Sequence, residues 1–143
     1  MKVMSRLAPL GLIVALVALI WMGSLIARSP VFFALQLLAL ALNLWGRASF
    51  PARTFRVGPA PAGEGLMRRG PYRVVRHPMY AAALLFFWAA IADRPSAVTL
   101  AIGVGLTALV LVRVRDEDGL LRARFPEYAE YARTTKALVP GVY

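Results

Sequence analysis

From Leu7 to Ala27 the chain runs for 21 residues without a charged side chain, bounded by Arg6 and Arg28. At about 1.5 Å per residue, such a run coiled as a helix crosses the roughly 30 Å hydrocarbon core of a bilayer unaided. Three more charge-free runs follow: Ser29 to Gly46 (18 residues), Pro78 to Ala92 (15) and Pro95 to Val112 (18). Charged residues make up 17% of the chain, against about 25% in an ordinary soluble domain. With 59% hydrophobic residues the chain is not disordered. The absence of cysteine removes disulfide scaffolds, thiol catalysis and Cys-ligated metals. Arg28-Ser29-Pro30 and Asp93-Arg94-Pro95 read as tight turns, since proline is accepted in the first turn of a helix. The expectation is an all-α polytopic membrane protein, one domain over residues 1–143. Its four transmembrane helices, about 7–27, 29–46, 78–92 and 95–112, form two helical hairpins, followed by a C-terminal cytoplasmic helical segment.

The net charge of +10 suggests nucleic acid only for a soluble chain. Here its distribution has another meaning. Lys2, Arg6, seven arginines in 47–77 and six basic residues from Arg113 onward lie on one side of the expected membrane, and only Arg28 and Arg94 on the other. Fifteen against two is a positive-inside pattern, with both termini and residues 47–77 and 113–143 cytoplasmic. The expected location is the bacterial inner membrane, as a multi-pass protein in contact with anionic lipid and not with nucleic acid. The first run is longer than the apolar stretch of a signal peptide, and Leu25 fits poorly three residues before a cut after Ala27, so it is read as a retained span.

Most polar variety lies in two segments, 47–80 and 113–136. The first carries Pro51, Gly58, Pro59, Pro61, Gly63 and Gly65, which make a loop or re-entrant segment of it. It ends in Gly70-Pro71-Tyr72-Arg73-Val74-Val75-Arg76-His77-Pro78-Met79-Tyr80. Pro78 suits the first position of the third span, so the N–H groups of that helix start, beside Arg76 and His77, form an anion site. In the second segment Asp116, Glu117 and Asp118 are three of only seven acids. If the fourth helix continues, Arg113 and Glu117 share a face at i, i+4. Leu121, Phe125 and Tyr128 fall at i, i+4 and i+7 as an apolar face. Pro126 interrupts that helix, and Glu127 and Glu130 then open a new one. An anion-binding helix start, tyrosine rings, a histidine, arginines and carboxylates together suit a zwitterionic, cationic ligand. S-adenosylmethionine has those features: its carboxylate for the helix start and arginine, its ammonium for Glu117, its sulfonium for aromatic faces.

The 70–80 motif resembles the signature of the isoprenylcysteine carboxyl methyltransferases and related phospholipid methyltransferases. The second block of that family is matched by Arg113, Glu117-Asp118, Leu121, Phe125, Tyr128, Tyr131 and Pro140. The resemblance implies an integral-membrane, S-adenosylmethionine-dependent methyltransferase whose cofactor is covered by the C-terminal segment. It places Leu66, Met67, Tyr72, Arg76, His77, Pro78, Met79, Tyr80, Glu117 and Asp118 at the cofactor, and Arg113 and Glu117 in catalysis, with Arg113 facing the acceptor. This chain departs from the pattern with Asp118 for a second Glu, Pro126 for a common Gly, and Ala81-Ala82 where a Gly is frequent.

The acceptor implied is lipophilic, entering from the bilayer. An isoprenylcysteine-like carboxylate needs only Arg113 to position it. A phospholipid amine must first lose a proton, by way of Glu117, His77 or Tyr80. Of the non-enzymatic alternatives, a four-helix transporter wants an ionisable residue within a span, and these four runs have none. A non-catalytic membrane subunit is separated by cofactor binding.

Overall fold

The computed structural model describes residues 2–49 and 66–142, with side chains from Leu10 onward. The loop or re-entrant segment expected around Pro51 to Gly65 lies outside the described residues. Five α-helices follow in order: α1 (Lys2–Trp21), α2 (Pro30–Ala48), α3 (Pro78–Asp93), α4 (Ala97–Arg124) and α5 (Tyr128–Thr134), with a 3-10 turn at Gly70–Arg73. Among the described residues there is no strand, only an isolated parallel bridge between Val75 and Lys136. Two helices, α2 and α4, are long and apolar enough to cross a membrane. The apolar stretch Leu10–Trp21 and α3 are shorter.

Local chemistry sets the boundaries. The first apolar run is not helical to Ala27: α1 ends at Trp21. Gly23 adopts φ +60, its N–H reaches the Ile20 carbonyl at 2.9 Å and the Ser24 N–H reaches that of Leu19 at 2.8 Å. This paired closure needs a residue in the left-handed region, which glycine supplies without a Cβ penalty. Both α2 and α3 begin with proline, whose missing N–H costs nothing there. Ser96 and Thr99 cap α4 reciprocally. That helix then passes through Arg113 without a break and stops at Arg124, just before Pro126. The expected apolar face of Leu121, Phe125 and Tyr128 is thereby corrected: Phe125 caps α4 and Tyr128 opens α5.

The packing corrects the expected pairing as well. α3 and α4 pack as a hairpin, but α1 lies along α4 and α2 along α3, so α1 and α2 are neighbours in connection rather than in packing. Ala15, Leu19, Phe87 and Leu106 form one core between α1, α3 and α4. A Cβ on Gly103 would stand 2.8 Å from Ile91 Cδ1 and 3.1 Å from the Trp88 ring, so α4 approaches α3 only because that side chain is missing. Leu38 is 57% and Val104 63% exposed, an outward apolar surface that suits lipid better than water.

At the end remote from the 70–80 motif, polar groups staple the helices together. Asp93 accepts from the backbone N–H of Arg28 at 2.8 Å and of Ser29 at 2.9 Å. Arg94 donates to the Ile26 carbonyl at 3.0 Å. Gln36, buried in α2, accepts from Ala27 N–H at 3.0 Å and donates to the carbonyls of Leu25 at 2.8 Å and Phe86 at 3.4 Å. Its amide satisfies backbone groups that the early end of α1 leaves without helical partners.

Candidate active site

Where α3 begins, α4 emerges from its apolar stretch, and the two motifs meet. Tyr80, in the first turn of α3, donates to Glu117 Oε1 at 2.6 Å. One turn back on α4, Arg113 Nε donates to Tyr80 Oη at 2.9 Å and to Glu117 Oε1 at 3.1 Å. The i, i+4 spacing of Arg113 and Glu117 makes this triangle possible. The other carboxylate oxygen, Oε2, faces His77 Nδ1 at 3.6 Å, beyond hydrogen-bond length. The His77 and Tyr80 rings lie nearly parallel with centroids 5.8 Å apart.

Asp118 is the hub of a second cluster. Its Oδ1 lies 2.7 Å from His77 Nε2, Arg76 Nη2 donates to its Oδ2 at 3.0 Å, and the Tyr128 hydroxyl donates to Oδ1. Burial pushes the Asp118 carboxyl upward, but the bonds from His77, Tyr128 and Arg76 outweigh it and hold the group well below the usual carboxylate range. Burial, reinforced by Asp118, raises the Tyr128 phenol. Asp116 takes no part in either cluster.

The C-terminal segment closes over this arrangement. Arg76 N–H bonds the Lys136 carbonyl at 2.8 Å and His77 N–H that of Ala137 at 2.9 Å. The Arg76 guanidinium also donates to the carbonyls of Ala132, at 3.1 Å, and Thr135. The Tyr131 hydroxyl donates to the Tyr72 carbonyl. Arg68 reaches the Glu127 carbonyl at 3.1 Å, with its guanidinium 5.4 Å from the Tyr131 ring centroid. Tyr72 is buried, and burial, with Tyr131 and the Glu117 charge adding, pushes its phenol up to about 12.

Of the residues expected at the site, Tyr80, His77, Arg113 and Glu117 come together around one carboxylate, and Arg76 and Asp118 around another. Tyr72 is buried behind them. Pro78 is buried and starts α3, while Met79 packs toward α2, its Cγ 3.2 Å from where a Cβ on Gly46 would stand. Leu66 and Met67 are half-buried in the segment entering the 3-10 turn and take no part in the hydrogen bonds. The anion site expected at the α3 start takes a different form: the His77 N–H bonds Ala137, and the Arg76 guanidinium turns to Asp118 and the C-terminal carbonyls. Tyr128 and Tyr131, which belong to the second motif, gain their contacts through α5, where both are buried one turn apart. Gly70 explains the start of its motif. It adopts φ +55, and a Cβ there would collide with Ser49 Oγ and stand 3.2 Å from Trp45 Nε1.

The family model described as phospholipid methyltransferase matches residues 31–127. The chain belongs to the phospholipid methyltransferase family. That match covers α2, α3 and α4 and every residue of the Glu117 and Asp118 clusters except Tyr128, which follows it directly. Among curated relatives of this family member is the cobalt-zinc-cadmium resistance protein CzcN of Cupriavidus metallidurans, 32% identical over 84% of this chain and 53% of the relative. Methanethiol S-methyltransferase 2 of Bradyrhizobium diazoefficiens is 34% identical over 90% of this chain and 46% of its own length. The nickel-cobalt-cadmium resistance protein NccN of Alcaligenes xylosoxydans xylosoxydans is 34% identical over 52% of this chain and 36% of the relative. The chain thus spans about half the length, or less, of the curated relatives it matches. No solved structure matches it.

Proposed function

We propose that this family member is an integral-membrane methyltransferase that uses S-adenosylmethionine and methylates an apolar acceptor at the cytoplasmic membrane boundary. In this reading residues 1–143 act as one unit with four spans in the bacterial inner membrane, both termini cytoplasmic, as the fifteen-to-two distribution of basic residues supports. The observation that carries the reading is the unequal state of the two carboxylates. Three donors from Arg76, His77 and Tyr128 converge on Asp118. Glu117 Oε1 is held by Tyr80 and Arg113, while its Oε2 stands 3.6 Å from His77. Glu117 therefore keeps accepting capacity for an ammonium, in a setting where the rings of Tyr72 and Tyr80 suit a sulfonium.

The residues fit that cofactor, which supplies a methyl carbon already activated by its sulfonium. The protein orients and excludes water, and a near-attack geometry is worth about 7–11 kcal/mol. Tyr80 and Arg113 fix Glu117, Asp118 fixes the His77 ring, and the C-terminal segment covers the site. Because Glu117 already neutralises Arg113, an acceptor with a neutral, proton-bearing nucleophile suits the site better than an isoprenylcysteine-like carboxylate. With Glu117 engaged by Arg113 and the ammonium, His77 is the base left in the site for its proton. A thiol meets that description, whereas an amine must first lose a proton, and one relative is by name a methanethiol S-methyltransferase.

Calorimetry on the detergent-purified protein tests the reading. S-adenosylmethionine is expected to bind the parent, with labelled methyl appearing in an added alkanethiol or alkylamine. A parent protein that binds none overturns it.

A further inference from the structure

The chain has a single histidine, and its ring stands between the two carboxylates of the site. Nε2 lies 2.7 Å from Asp118 Oδ1 and Nδ1 faces Glu117 Oε2 at 3.6 Å, with 5% of the side chain exposed. Despite burial, the bonds from His77, Tyr128 and Arg76 keep the Asp118 carboxyl ionised. An ionised carboxylate only accepts, so the proton between Asp118 and His77 belongs to Nε2. A neutral imidazole carries one ring proton, which leaves a bare lone pair on Nδ1. Charge balance favours the neutral ring. Arg76 pairs with Asp118 at 3.0 Å and Arg113 with Glu117 at 3.1 Å, so each carboxylate already has its cation, and burying a further charge is costly. The tyrosines at these carboxylates, Tyr80 and Tyr128, act as donors to them. Nδ1 and Glu117 Oε2 are then two acceptors facing one another, an arrangement that a proton donor completes.

We infer that Asp118 sets the tautomer of His77 so that Nδ1 takes the proton of the methyl acceptor, and that this acceptor is a thiol. The inference rests on the methyltransferase reading and deepens it: His77 is the catalytic base, and Asp118 a positioning residue that acts through it. The acceptor sulfur forms its bond to the methyl carbon, and the S–H proton passes to Nδ1. The electron pair of the broken carbon–sulfur bond stays on the sulfur of the methyl donor, whose positive charge disappears. The imidazolium that forms replaces that charge within the same site, between Asp118 and Glu117, and then gives its proton to water. One proton is released for each methyl group moved. A thiol suits this base. With an ordinary pKa of about 8.5 it keeps its proton at neutral pH, yet yields it to an imidazole at modest cost. An alkylammonium would instead bring a second cation beside the sulfonium.

Because the chain has one histidine, nitrogen-15 histidine labelling of the detergent-purified protein, made without a polyhistidine tag, reads this ring alone. The parent at neutral pH is expected to show Nε2 protonated and Nδ1 bare. In Asp118→Asn, Arg76 can only donate and so claims the amide oxygen, which turns the amide NH2 toward Nε2 and moves the ring proton to Nδ1. Methyl transfer at saturating S-adenosylmethionine is then measured with an alkanethiol and with nitrothiophenol, which is already ionised at neutral pH. Asp118→Asn and His77→Gln are each expected to lower kcat for the alkanethiol at least ~100-fold, the lower end of what a general base contributes. Nitrothiophenol, which brings no proton, should lose little. Asp118→Glu should restore the parental tautomer and part of the rate. Should Asp118→Asn fail to fold, the spectrum of the parent and the rates of His77→Gln carry the decision. An imidazolium or an Nδ1–H ring in the parent, or equal losses with both thiols, overturns the inference, and the methyltransferase reading stands as long as the parent binds the cofactor. A parent that binds none overturns both.

Discussion

His77 Nε2 and Asp118 Oδ1 meet at 2.7 Å across 41 residues of sequence, and this contact ties the start of α3 to the end of α4. The same carboxylate takes bonds from Arg76 and Tyr128, so one side chain gathers the motif, α4 and α5. Asp118→Asn removes the charge that these donors share. The structure makes it a stability variant first. Losing one charged partner of a hydrogen-bonded cluster costs about 2–3 kcal/mol, so a clear drop in the thermal unfolding midpoint in detergent is expected. Asp118→Glu, the residue usual in the family, should recover part of it. An unfolding midpoint equal to the parent's for Asp118→Asn would remove Asp118 from this role.

The depressed acidity of Asp118 also fixes a pH dependence. A carboxyl whose folded pKa lies below its unfolded value contributes stability that is complete above the unfolded value, about 3.9 for Asp. That contribution is lost as pH falls toward the depressed folded value. The parent is therefore expected to lose stability progressively below about pH 4, and Asp118→Asn to show a shallower slope there. Unfolding midpoints taken between pH 7 and 3 compare the two slopes. Equal slopes would mean that other acids carry the transition.

Much of this was legible because its signals are local. Charge-free runs, Pro30, Pro78 and Ser96 locate helices, and the spacing of Arg113 and Glu117 puts them on one face. The break before Pro126 and the new helix carrying Glu130 also follow from local rules. What the sequence hid depends on packing. Hydropathy does not register that Gly23 ends α1 six residues before the apolar run stops, because the turn residues are as apolar as the helix. Nor does connection order reveal that α1 lies on α4, which rests on Gly11 admitting Leu109 of α4, or that α4 meets α3 so closely, which rests on Gly103 admitting Ile91 and Trp88. Arg76 looked like an anion ligand because its neighbours in sequence are a histidine and a helix start. Its partners, Asp118 and the carbonyls of Ala132 and Thr135, are more than 40 residues away.

The staple at the far end gives a separable effect. Gln36→Leu leaves Ala27 N–H and the Leu25 carbonyl without their partner, and each buried group so stranded costs about 1–3 kcal/mol. Expected is a strongly lowered unfolding midpoint with cofactor affinity per folded molecule unchanged. Arg94→Ala, at a partly exposed bond to Ile26, should cost about 1 kcal/mol or less. Cofactor binding lost in step with stability in Gln36→Leu would link the two ends of the bundle.

Topology can be read directly. Reporter fusions at residue 60 and after residue 143 should give cytoplasmic signals, and a fusion at residue 94 the opposite, as the positive-inside distribution requires. A fusion at residue 60 on the far side of the membrane would put the start of α3 and the end of α4 on a face that no cytoplasmic cofactor reaches.

Glu117 decides the function. It sits 2.6 Å from the Tyr80 hydroxyl and 3.1 Å from Arg113 Nε, with 20% of its side chain exposed. Glu117→Gln keeps the shape and removes the charge that the proposed function assigns to the cofactor's ammonium, and truncating one side of a desolvated charge pair costs about 2–5 kcal/mol. Binding of S-adenosylmethionine should weaken at least about 30-fold, the lower end of that range. Tyr80→Phe keeps the charge but removes one of the two donors that aim it, so it should weaken binding less, by roughly tenfold. Asp116→Asn, outside both clusters, should bind the cofactor as the parent does. Titration calorimetry on the three folded variants gives the order directly. If Glu117→Gln binds as the parent does, the carboxylate at the centre of the site serves only to hold Arg113 and Tyr80 in place.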